Sequence, residues 1–491
     1  MRIKVMKFGG TSVATPELRL LAARKVVIAK ERGFSPVVVV SAIGRKGAPY
    51  ATDTLLSMLA DVDPLVPPEP REMDLMLCCG EIMSTCVFAQ TLKSLGHPAS
   101  AMTGGQAGLV TDSTFGKARI LEVLPDDILK VLNRGRIPVV CGFQGRSKAS
   151  EDAVYGEITT LGRGGSDTTA CALGAALGAE AVEIYTNVDG VKTADPAFVP
   201  EAPTLRSMTY DEVAEIAHQG GKVLHPRAAE IAMKFSIPLW VKCTQTEEQG
   251  TQVEGRGERP GRDVTAITHT GKMVYLQFDA PFGADRPQIE AKVFQLMAEN
   301  DLNLFLLNVR REGFAFALPR KQLSLLKEIL DGLVIPIEDE KGRVVTQVVH
   351  ASADGGETES PSPAWRGRAG DGAGNPASGP RTYMLQIGLA GSSEVRAQER
   401  MLKGAERFGE IRKCVAALTE NCMVVSIVAH AGLSSPGVYL RVMECLHRGS
   451  IQVIQTSDSR WSISLLVTEA DAPRAVRLLH GEFGLAGVTS G

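Results

Sequence analysis

The chain has 491 residues, of which 44% are hydrophobic, which is enough for about three domains with packed cores and excludes a disordered or fibrous protein. Lys and Arg total 53 against 56 Asp and Glu, a formal net charge of −3, so the chain lacks the basic surplus of nucleic-acid-binding proteins. The longest apolar runs, such as residues 36–40, fall short of the about 20 residues of a membrane span, and no secretory leader follows Met1. We therefore expect a cytoplasmic protein that binds neither nucleic acid nor membrane.

As far as about residue 245, short β-branched runs alternate with helical patterns. The predicted elements in chain order are strand 3–8, helix 16–32, strand 37–41, helix 81–95, strand 137–143, helix 166–177, strand 182–186, helices 209–218 and 226–235, and strand 237–242. Thr15, Pro16 and Gly33 are typical residues for the two ends of helix 16–32. This alternation favours an α/β fold, a layered domain with a largely parallel central sheet.

After residue 264 the chain changes to smaller β-α-β units, two of which resemble copies of one another. The order strand, loop ending in proline, helix, strand occurs twice at an offset of 149 to 150 residues. The matched segments are 273–276, 293–297 and 302–305 in the first copy and 423–426, 442–446 and 451–454 in the second. The order is the first half of a ferredoxin-like βαββαβ module, and chance similarity between generic amphipathic units is the alternative to duplication.

Between the two copies, residues 351–380 contain 15 Gly, Pro and Ser residues in 30 positions, and Trp365 is their one large apolar side chain. Such a composition cannot fill a core, so it predicts a flexible insert. Residues 383–418 add a further strand and helix that the pattern assigns to neither copy.

Four glycine-rich turns lie in the first domain, at residues 7–12, 41–47, 142–145 and 162–167. A glycine turn between a strand and a helix leaves backbone N–H groups free to receive an anion, so the turns predict a crevice for a phosphorylated ligand. The sequence contains no Walker A motif, no protein-kinase triplet and no dinucleotide fingerprint. Its eight histidines are scattered without ligand spacing, so no protein-bound metal is expected.

Five motifs resemble those of aspartokinases, in the order that this family has them. They are the segments 7–13, 80–81, 160–167, 188–191 and 222–227. The chain is most similar to the monofunctional bacterial type inhibited by diaminopimelate. The resemblance implies an amino-acid-kinase fold for residues 1–245, followed by two ferredoxin-like ACT regulatory domains. We place these at 264–349 and 382–491, the second including the unassigned strand and helix, with the flexible insert at 350–381.

The resemblance also implies an activity. Aspartokinases transfer the γ-phosphoryl group of ATP to the side-chain carboxylate of L-aspartate, giving 4-phospho-L-aspartate. The reaction is the first step towards lysine and diaminopimelate, threonine and methionine. ATP with Mg²⁺ is the co-substrate and no prosthetic group is implied. An amino-acid effector, diaminopimelate, lysine or threonine, is expected at an ACT interface, in a homodimer or larger homo-oligomer.

The matched motifs assign residues to roles. Lys7 corresponds to the catalytic lysine of the family and Asp167 to the aspartate that orients it. For the substrate, Arg163 corresponds to the residue that binds the α-carboxylate and Glu81 to the one that binds the α-ammonium. Thr11, Ser41 and Ser166 line the same crevice, and the nucleotide residues are Gly9, Gly10, Thr186, Asn187, Lys192 and Lys222. A buried ion pair without a catalytic role is the alternative for Lys7 and Asp167.

The nucleotide loop departs from the family pattern at three positions. Asn187 replaces an aspartate, Lys192 an often aromatic or apolar residue, and Ala197 an arginine. Loss of one guanidinium contact would weaken ATP binding by about 1.5 to 3 kcal/mol, unless Lys192 replaces the charge. These departures motivate a second hypothesis, a non-catalytic amino-acid-sensing subunit. A third is another enzyme of this fold that acts on a different carboxylate or a carbamate. His225 is predicted to be a structural residue at a helix start.

Overall fold

The computed structural model describes residues 1–44, 47–63, 66–149, 156–221, 223–255, 263–279, 286–310, 313–331, 333–336, 383–389, 410–429 and 436–487. The predicted insert at 350–381 and the predicted nucleotide residue Lys222 lie outside these ranges.

The first half of the chain alternates strands and helices. The strands are β1 (Ile3–Phe8), β2 (Ser35–Val40), β3 (Ala99–Met102), β4 (Leu109–Thr111), β5 (Ile120–Val123), β6 (Ile137–Cys141), β7 (Gln144–Ser147), β8 (Ile158–Thr160), β9 (Ala181–Thr186), β10 (Ser207–Thr209), β11 (Leu239–Cys243) and β12 (Thr251–Glu254). The helices are α1 (Pro16–Glu31), α2 (Thr52–Ala60), α3 (Pro70–Ser94), α4 (Asp126–Asn133), α5 (Gly165–Ala176), α6 (Tyr210–His218) and α7 (Pro226–Lys234).

The central sheet has the order β10-β12-β11-β9-β1-β2-β6-β3. From β11 to β3 every neighbouring pair is parallel, and β12 joins antiparallel to β11. The four valines at 37–40 are fully buried because helices cover both faces of such a sheet. The predicted layered domain with a largely parallel sheet is confirmed.

A second, smaller sheet of the order β5-β4-β7-β8 was not predicted from the sequence. Its strands have only three or four residues, too few for the alternation of apolar and polar residues to be recognised. The sheet leads directly into the glycine turn at 162–167, so it positions one predicted part of the site.

Helix α3 is longer than the predicted helix 81–95, because it begins at Pro70. It is long and apolar enough to cross a membrane by composition, but half of its most apolar window is buried within the protein. Phe88 and Leu92 are fully buried against the central sheet, while Asp74 and Glu81 are buried on the same helix. We therefore identify α3 as a core helix.

The second half contains strands of a mainly antiparallel sheet and the helices that cover it. The strands are β13 (Val264–His269), β14 (Met273–Asp279), β15 (Phe305–Arg310), β16 (Gly313–Pro319), β17 (Val334–Pro336), β18 (Tyr383–Leu389), β19 (Glu410–Ala429), β20 (Gln455–Asp458) and β21 (Ser462–Thr468). The helices are α8 (Arg286–Glu299), α9 (Leu323–Asp331), α10 (Pro436–Arg448) and α11 (Ala472–Glu482). The predicted strands at 302–305 and 451–454 are shifted, because β15 begins at Phe305 and β20 at Gln455.

The long strand β19 joins the two repeated units. Its first half pairs with β14 and β18, and its second half pairs with β13 and β21. The predicted boundaries place β13 in the first ACT domain, yet β13 hydrogen-bonds to the strand of the second copy. The previously unassigned strand at 383–389 lies parallel to the first half of β19. Strand pairing therefore favours interleaved units rather than two consecutive ones.

Candidate active site

The glycine turns meet at one edge of the central sheet. Strands β9, β1, β2 and β6 are adjacent and parallel, so their carboxyl ends lie side by side. The Gly9 N–H donates to the Tyr185 carbonyl oxygen at 3.3 Å, and the Gly142 N–H donates to the Val40 carbonyl oxygen at 2.9 Å. Three predicted turns thus form one continuous rim.

The first and second turns are packed in backbone contact. The Gly44 N–H donates to the Gly10 carbonyl oxygen at 3.1 Å. A Cβ atom on Gly10 would lie 2.5 Å from the Ala42 carbonyl oxygen, which no side chain tolerates. Glycine at position 10 is therefore required by this close approach.

Lys7 and Asp167 come together at this rim from different elements. Lys7 is on β1, and Asp167 lies in the first turn of α5. The Lys7 Nζ atom is 2.5 Å from Asp167 Oδ1, and each side chain is only 11% exposed. A single carboxylate thus fixes a buried ammonium beside Gly9, where a Cβ atom would lie 3.7 Å from the Lys7 Nζ atom. This is the geometry that the predicted pairing requires.

Glu81 lies in the middle of α3 and faces the second turn. Its Oε1 atom accepts the Ala42 N–H at 3.1 Å, while its Oε2 atom is buried without a hydrogen-bond partner among the described residues. Burial raises the pKa of the Glu81 carboxyl to about 8, although the Ala42 N–H opposes this shift. An unpartnered buried carboxylate oxygen is costly unless a cation approaches it, so this atom is suited to receive a ligand ammonium.

The serines and the arginine predicted to bind the substrate lie at the same rim. The Ser41 Oγ atom donates to the Ser166 Oγ atom at 2.9 Å, which joins the second and fourth turns. A Cβ atom on Gly142 would lie 2.7 Å from the Ser166 Cβ atom, so the third turn also packs here. Arg163 is exposed, and Thr11 is half-buried in the 3₁₀ turn after β1.

The fourth turn is shaped by Gly164 and His225. Gly164 precedes α5 with φ +73°, and a Cβ atom there would lie 2.1 Å from the His225 ring. His225 begins α7 by position but makes no side-chain capping hydrogen bond. Burial lowers the pKa of His225, so its ring packs on the turn in the neutral form. Its predicted structural role agrees with this packing.

Three of the predicted nucleotide residues border a cavity of about 580 Å³, whereas the predicted Gly9 and Gly10 are not among its lining residues. Thr186, Asn187 and Lys192 line it, as do Gly221 and Val223 on the two sides of Lys222. The Lys192 Nζ atom lies 3.2 Å from Asp189 Oδ1 and donates to Thr204 Oγ1 at 3.1 Å. Part of the Lys192 charge is therefore neutralised within the loop.

Asp74 was missed by the sequence analysis. It is fully buried on α3, and its carboxylate accepts the Thr160 N–H at 2.7 Å, the Thr160 hydroxyl at 2.6 Å and the Gly116 N–H at 3.0 Å. These bonds position the end of β8 just before the fourth turn. The available signal was the spacing of seven residues between Asp74 and Glu81, which places two acids on one face of an apolar helix.

Comparisons with known proteins follow the same division of the chain. A model of the amino acid kinase family matches residues 2–243, and an ACT domain model matches residues 425–483. Aspartokinase 1 of Bacillus subtilis is 33% identical over 492 residues, covering 99% of this chain and 100% of that protein. The chain belongs to the aspartokinase family. The aspartokinase of Corynebacterium glutamicum is 32% identical, covering 99% of this chain and 97% of that protein.

Solved aspartokinase structures share the fold of this family member. Escherichia coli aspartokinase III in complex with aspartate and ADP superposes with a TM-score of 0.66 at 22% identity, covering 98% of this chain and 99% of that one. The aspartate kinase from Synechocystis gives 0.58 at 24% identity, covering 100% and 99%. The predicted amino-acid-kinase fold followed by a ferredoxin-like ACT region is confirmed.

Proposed function

We propose that this kinase transfers the γ-phosphoryl group of ATP to the side-chain carboxylate of L-aspartate. The observation that carries the proposal is the buried Lys7–Asp167 pair at a rim of glycine turns. The full-length aspartokinase relatives supply the identity of the acceptor. The product is the mixed anhydride 4-phospho-L-aspartate, and ADP leaves.

The reaction needs charge stabilisation more than proton transfer. A carboxylate with an ordinary pKa of about 4 is already ionised at neutral pH, so no general base is required. The barrier is repulsion between this anion and the triphosphate. Lys7 and the backbone N–H group of Gly10 supply positive charge where the transferred group passes, and Asp167 holds the ammonium in place.

Selection of the acceptor follows from complementary charges. The unpartnered Glu81 Oε2 atom would receive the α-ammonium, and the Arg163 guanidinium would receive the α-carboxylate as a fork. Thr11, Ser41 and Ser166 complete the crevice with hydroxyl groups. Reading both ends of a free amino acid in this way disfavours a carbamate as acceptor.

The nucleotide would occupy the cavity bordered by Thr186, Asn187 and Lys192. Mg²⁺ enters bound to the phosphate oxygens of ATP. No cluster of three or more His, Cys, Asp or Glu side chains in the described part of the chain could hold a metal ion. Lys192 remains a candidate to replace the missing arginine, and unchanged ATP affinity in Lys192→Ala would contradict that role.

Regulation and assembly extend the same proposal. Escherichia coli aspartokinase III is known in complex with lysine and aspartate. By analogy, we expect lysine, threonine or diaminopimelate to bind at an ACT interface of a homodimer or larger assembly in the cytoplasm. The reaction then starts the synthesis of the lysine, threonine and methionine group.

The test is an acyl-phosphate assay. Purified protein with ATP and Mg²⁺ is incubated with and without L-aspartate, and hydroxylamine traps the acyl phosphate as a hydroxamate. Aspartate-dependent hydroxamate is the expected result. Repeating the assay with added lysine, threonine or diaminopimelate identifies the effector.

The sensing-subunit hypothesis rests on Asn187 and Ala197 in the nucleotide loop. It predicts folded protein that binds an amino acid but forms no hydroxamate at saturating ATP. That outcome would overturn the proposed activity. Retention of Lys7, Arg163 and Asp167 favours the kinase.

A further inference from the structure

The cavity bordered by the predicted nucleotide residues has a second wall that comes from the regulatory sheet. Thr186, Asn187 and Lys192 of the loop after β9 line it. His269, the last residue of β13, and Lys272, in the turn before β14, line it as well. The cavity is therefore lined by both the nucleotide loop and the regulatory sheet.

The second half of the nucleotide loop is folded into the regulatory core. Ala194, Val199 and Ala202 are at most 4% exposed and belong to the hydrophobic cluster that β13, β19, β21 and α11 build. The backbone is joined as well, because the Ile267 N–H donates to the Thr193 carbonyl oxygen at 2.8 Å. The loop is thus a shared element of both parts of the chain.

A polar contact also joins the same segment to helix α11. The Thr193 hydroxyl and the His480 Nε2 atom of α11 are 2.9 Å apart, and both side chains are buried. Movement of β13 or α11 would consequently displace the loop that carries Asn187 and Lys192.

His269 makes the most specific of these contacts. Its ring stacks on Phe198, with ring centroids 4.3 Å apart and an interplanar angle of 23°. Its Nε2 atom lies 3.1 Å from Asp195 Oδ2, and its Nδ1 atom lies 2.8 Å from the Thr270 carbonyl oxygen. The histidine side chain is 17% exposed, so the Asp195 pair is partly shielded from water. We call His269, Asp195 and Phe198 the clasp.

The clasp includes the two residues that flank Ala197 closely in the loop, and Ala197 replaces the arginine of the family pattern. Ala197 lies between Asp195 and Phe198, and its N–H donates to Asp195 Oδ1 at 2.8 Å. The carboxylate that shapes this turn is therefore the one that His269 holds. A loop with one phosphate-binding guanidinium fewer depends more on being held in its binding conformation.

We propose that the turn between β13 and β14 forms a wall of the nucleotide pocket and that His269 is a positioning residue for the nucleotide. His269 acts through the loop it holds, whose conformation sets the affinity for the nucleotide. The inference rests on the proposed function, because it assumes that the 580 Å³ cavity takes the nucleotide.

The test compares four full-length proteins: wild type, His269→Ala, His269→Gln and the control His447→Ala. His447 is an exposed histidine on α10, a helix in the regulatory half of the chain. Calorimetric titration with Mg·ADP measures nucleotide affinity directly, and initial rates give KM for ATP and for aspartate. Thermal unfolding reports stability.

We expect His269→Ala to weaken Mg·ADP binding and to raise KM for ATP about threefold to tenfold, the effect of one or two lost contacts. KM for aspartate stays within twofold, because the Glu81 and Arg163 crevice is not touched. His269→Gln keeps a donor towards Asp195 and falls between wild type and alanine. His447→Ala behaves as wild type.

Mg·ADP affinity of His269→Ala within twofold of wild type would overturn the inference and leave the proposed function intact. Equal losses in both KM values and kcat, together with a lower Tm, would indicate a merely structural role and also overturn it. No Mg·ADP binding by the wild type would contradict the proposed function itself, and this inference with it. If His269→Ala does not fold, Asp195→Asn weakens the same pair without opening a cavity, and the same criteria apply.

Discussion

At the scale of single residues, two buried ionisable side chains, Lys7 and Glu81, carry the proposed chemistry. Asp167 is the one ion-pair partner of Lys7 among the described residues. The other N–H bonds of the Lys7 ammonium therefore stay available to an incoming phosphoryl group. Glu81 is instead buried with one carboxylate oxygen unpartnered. Burial of this unpartnered oxygen is unfavourable in the free protein, and the proposed α-ammonium would provide its missing partner.

Lys7→Ala is expected to lower kcat by a factor of about 10² to 10³ or more, because a preorganised charge at the transferred group is lost. The fold should remain, since an apolar replacement at the end of a buried strand leaves the sheet hydrogen bonds in place. Hydroxamate formation and circular dichroism measure the two effects. Lys130→Ala, on the exposed face of α4, is the control. Wild-type kcat in Lys7→Ala would contradict its role.

Glu81 predicts a pH dependence of aspartate binding. Because burial raises the pKa of its carboxyl to about 8, the free protein holds Glu81 mainly protonated at pH 6. Binding of an α-ammonium favours the ionised form and releases a proton. KM for aspartate should therefore fall at least about fivefold from pH 6 to pH 8. Glu81→Gln should have a higher KM that is flat across this range, and a Glu81→Gln profile with the wild-type slope would count against the assignment.

The same residue predicts an opposite effect on stability. A carboxyl whose pKa is raised on folding favours the folded state below its ordinary pKa, and that contribution is lost as pH rises towards about 8. Glu81→Gln removes the titrating group, so its midpoint of urea unfolding should fall less between pH 5 and pH 8 than that of the wild type. Equal losses of midpoint in both proteins would show that other groups set this dependence.

At the scale of elements, the glycine turn before α5 is where backbone conformation and site geometry coincide. Gly164 and Gly178 lie at opposite ends of this helix, and both have positive φ values, +73° and +57°. A Cβ atom on Gly164 would strike the His225 ring, whereas one on Gly178 would meet nothing within 4 Å. Comparing alanine substitutions at these two glycines therefore separates the effect of backbone strain from the effect of a steric clash.

We expect Gly178→Ala to cost about 1 kcal/mol of unfolding free energy and to leave kcat unchanged. Gly164→Ala carries the same strain and also displaces His225 and the turn that bears Arg163, so kcat/KM for aspartate should fall at least about tenfold. Chemical denaturation and steady-state kinetics measure the two quantities. Similar kinetics in the two variants would mean that the turn tolerates displacement.

At the scale of the whole molecule, the catalytic and regulatory parts share a core. Ala194, Val199 and Ala202 come from the first half of the chain but are buried among strands and a helix of the second half. Gln219, at the end of α6, also bonds to Ser426, Ser462 and Ser464 of the regulatory sheet. The hydrophobic core of the amino-acid-kinase region is therefore incomplete without the regulatory region of the same chain.

A chain truncated after Glu254 is expected to lose about 10 °C or more in Tm, or to aggregate, because those side chains and the β13 contacts become exposed. The control replaces residues 351–380, whose composition predicts a flexible insert, with a short Gly-Ser linker. That variant should keep the wild-type Tm and kcat. Differential scanning calorimetry distinguishes the two, and a truncated chain with wild-type Tm would show that the shared core contributes little.

Local chemistry in the sequence determined the order of elements and the largely parallel sheet, and the resemblance of short motifs to those of aspartokinases proposed most of the candidate site. Buried strands such as residues 37–40 are unbroken apolar runs, and helix ends carry capping residues. Clusters of glycine between a strand and a helix predict turns. Lys7, Asp167, Glu81 and Ser166 could be proposed as site residues because each lies in a short motif that resembles those of aspartokinases. Lys222 and the insert at 350–381 stay predictions.

Only the tertiary structure decided what depends on contacts between distant segments. The start of α3, the small sheet around β7 and the pairing of β13 with β19 have weak local signals, because three-residue strands show no period and pairing partners lie about 160 residues apart. The role of Asp74 depends on Thr160, and the clasp joins His269 to Asp195 across 74 positions. Residue type predicts what a side chain can bind, but the packing of whole elements determines which partner reaches it.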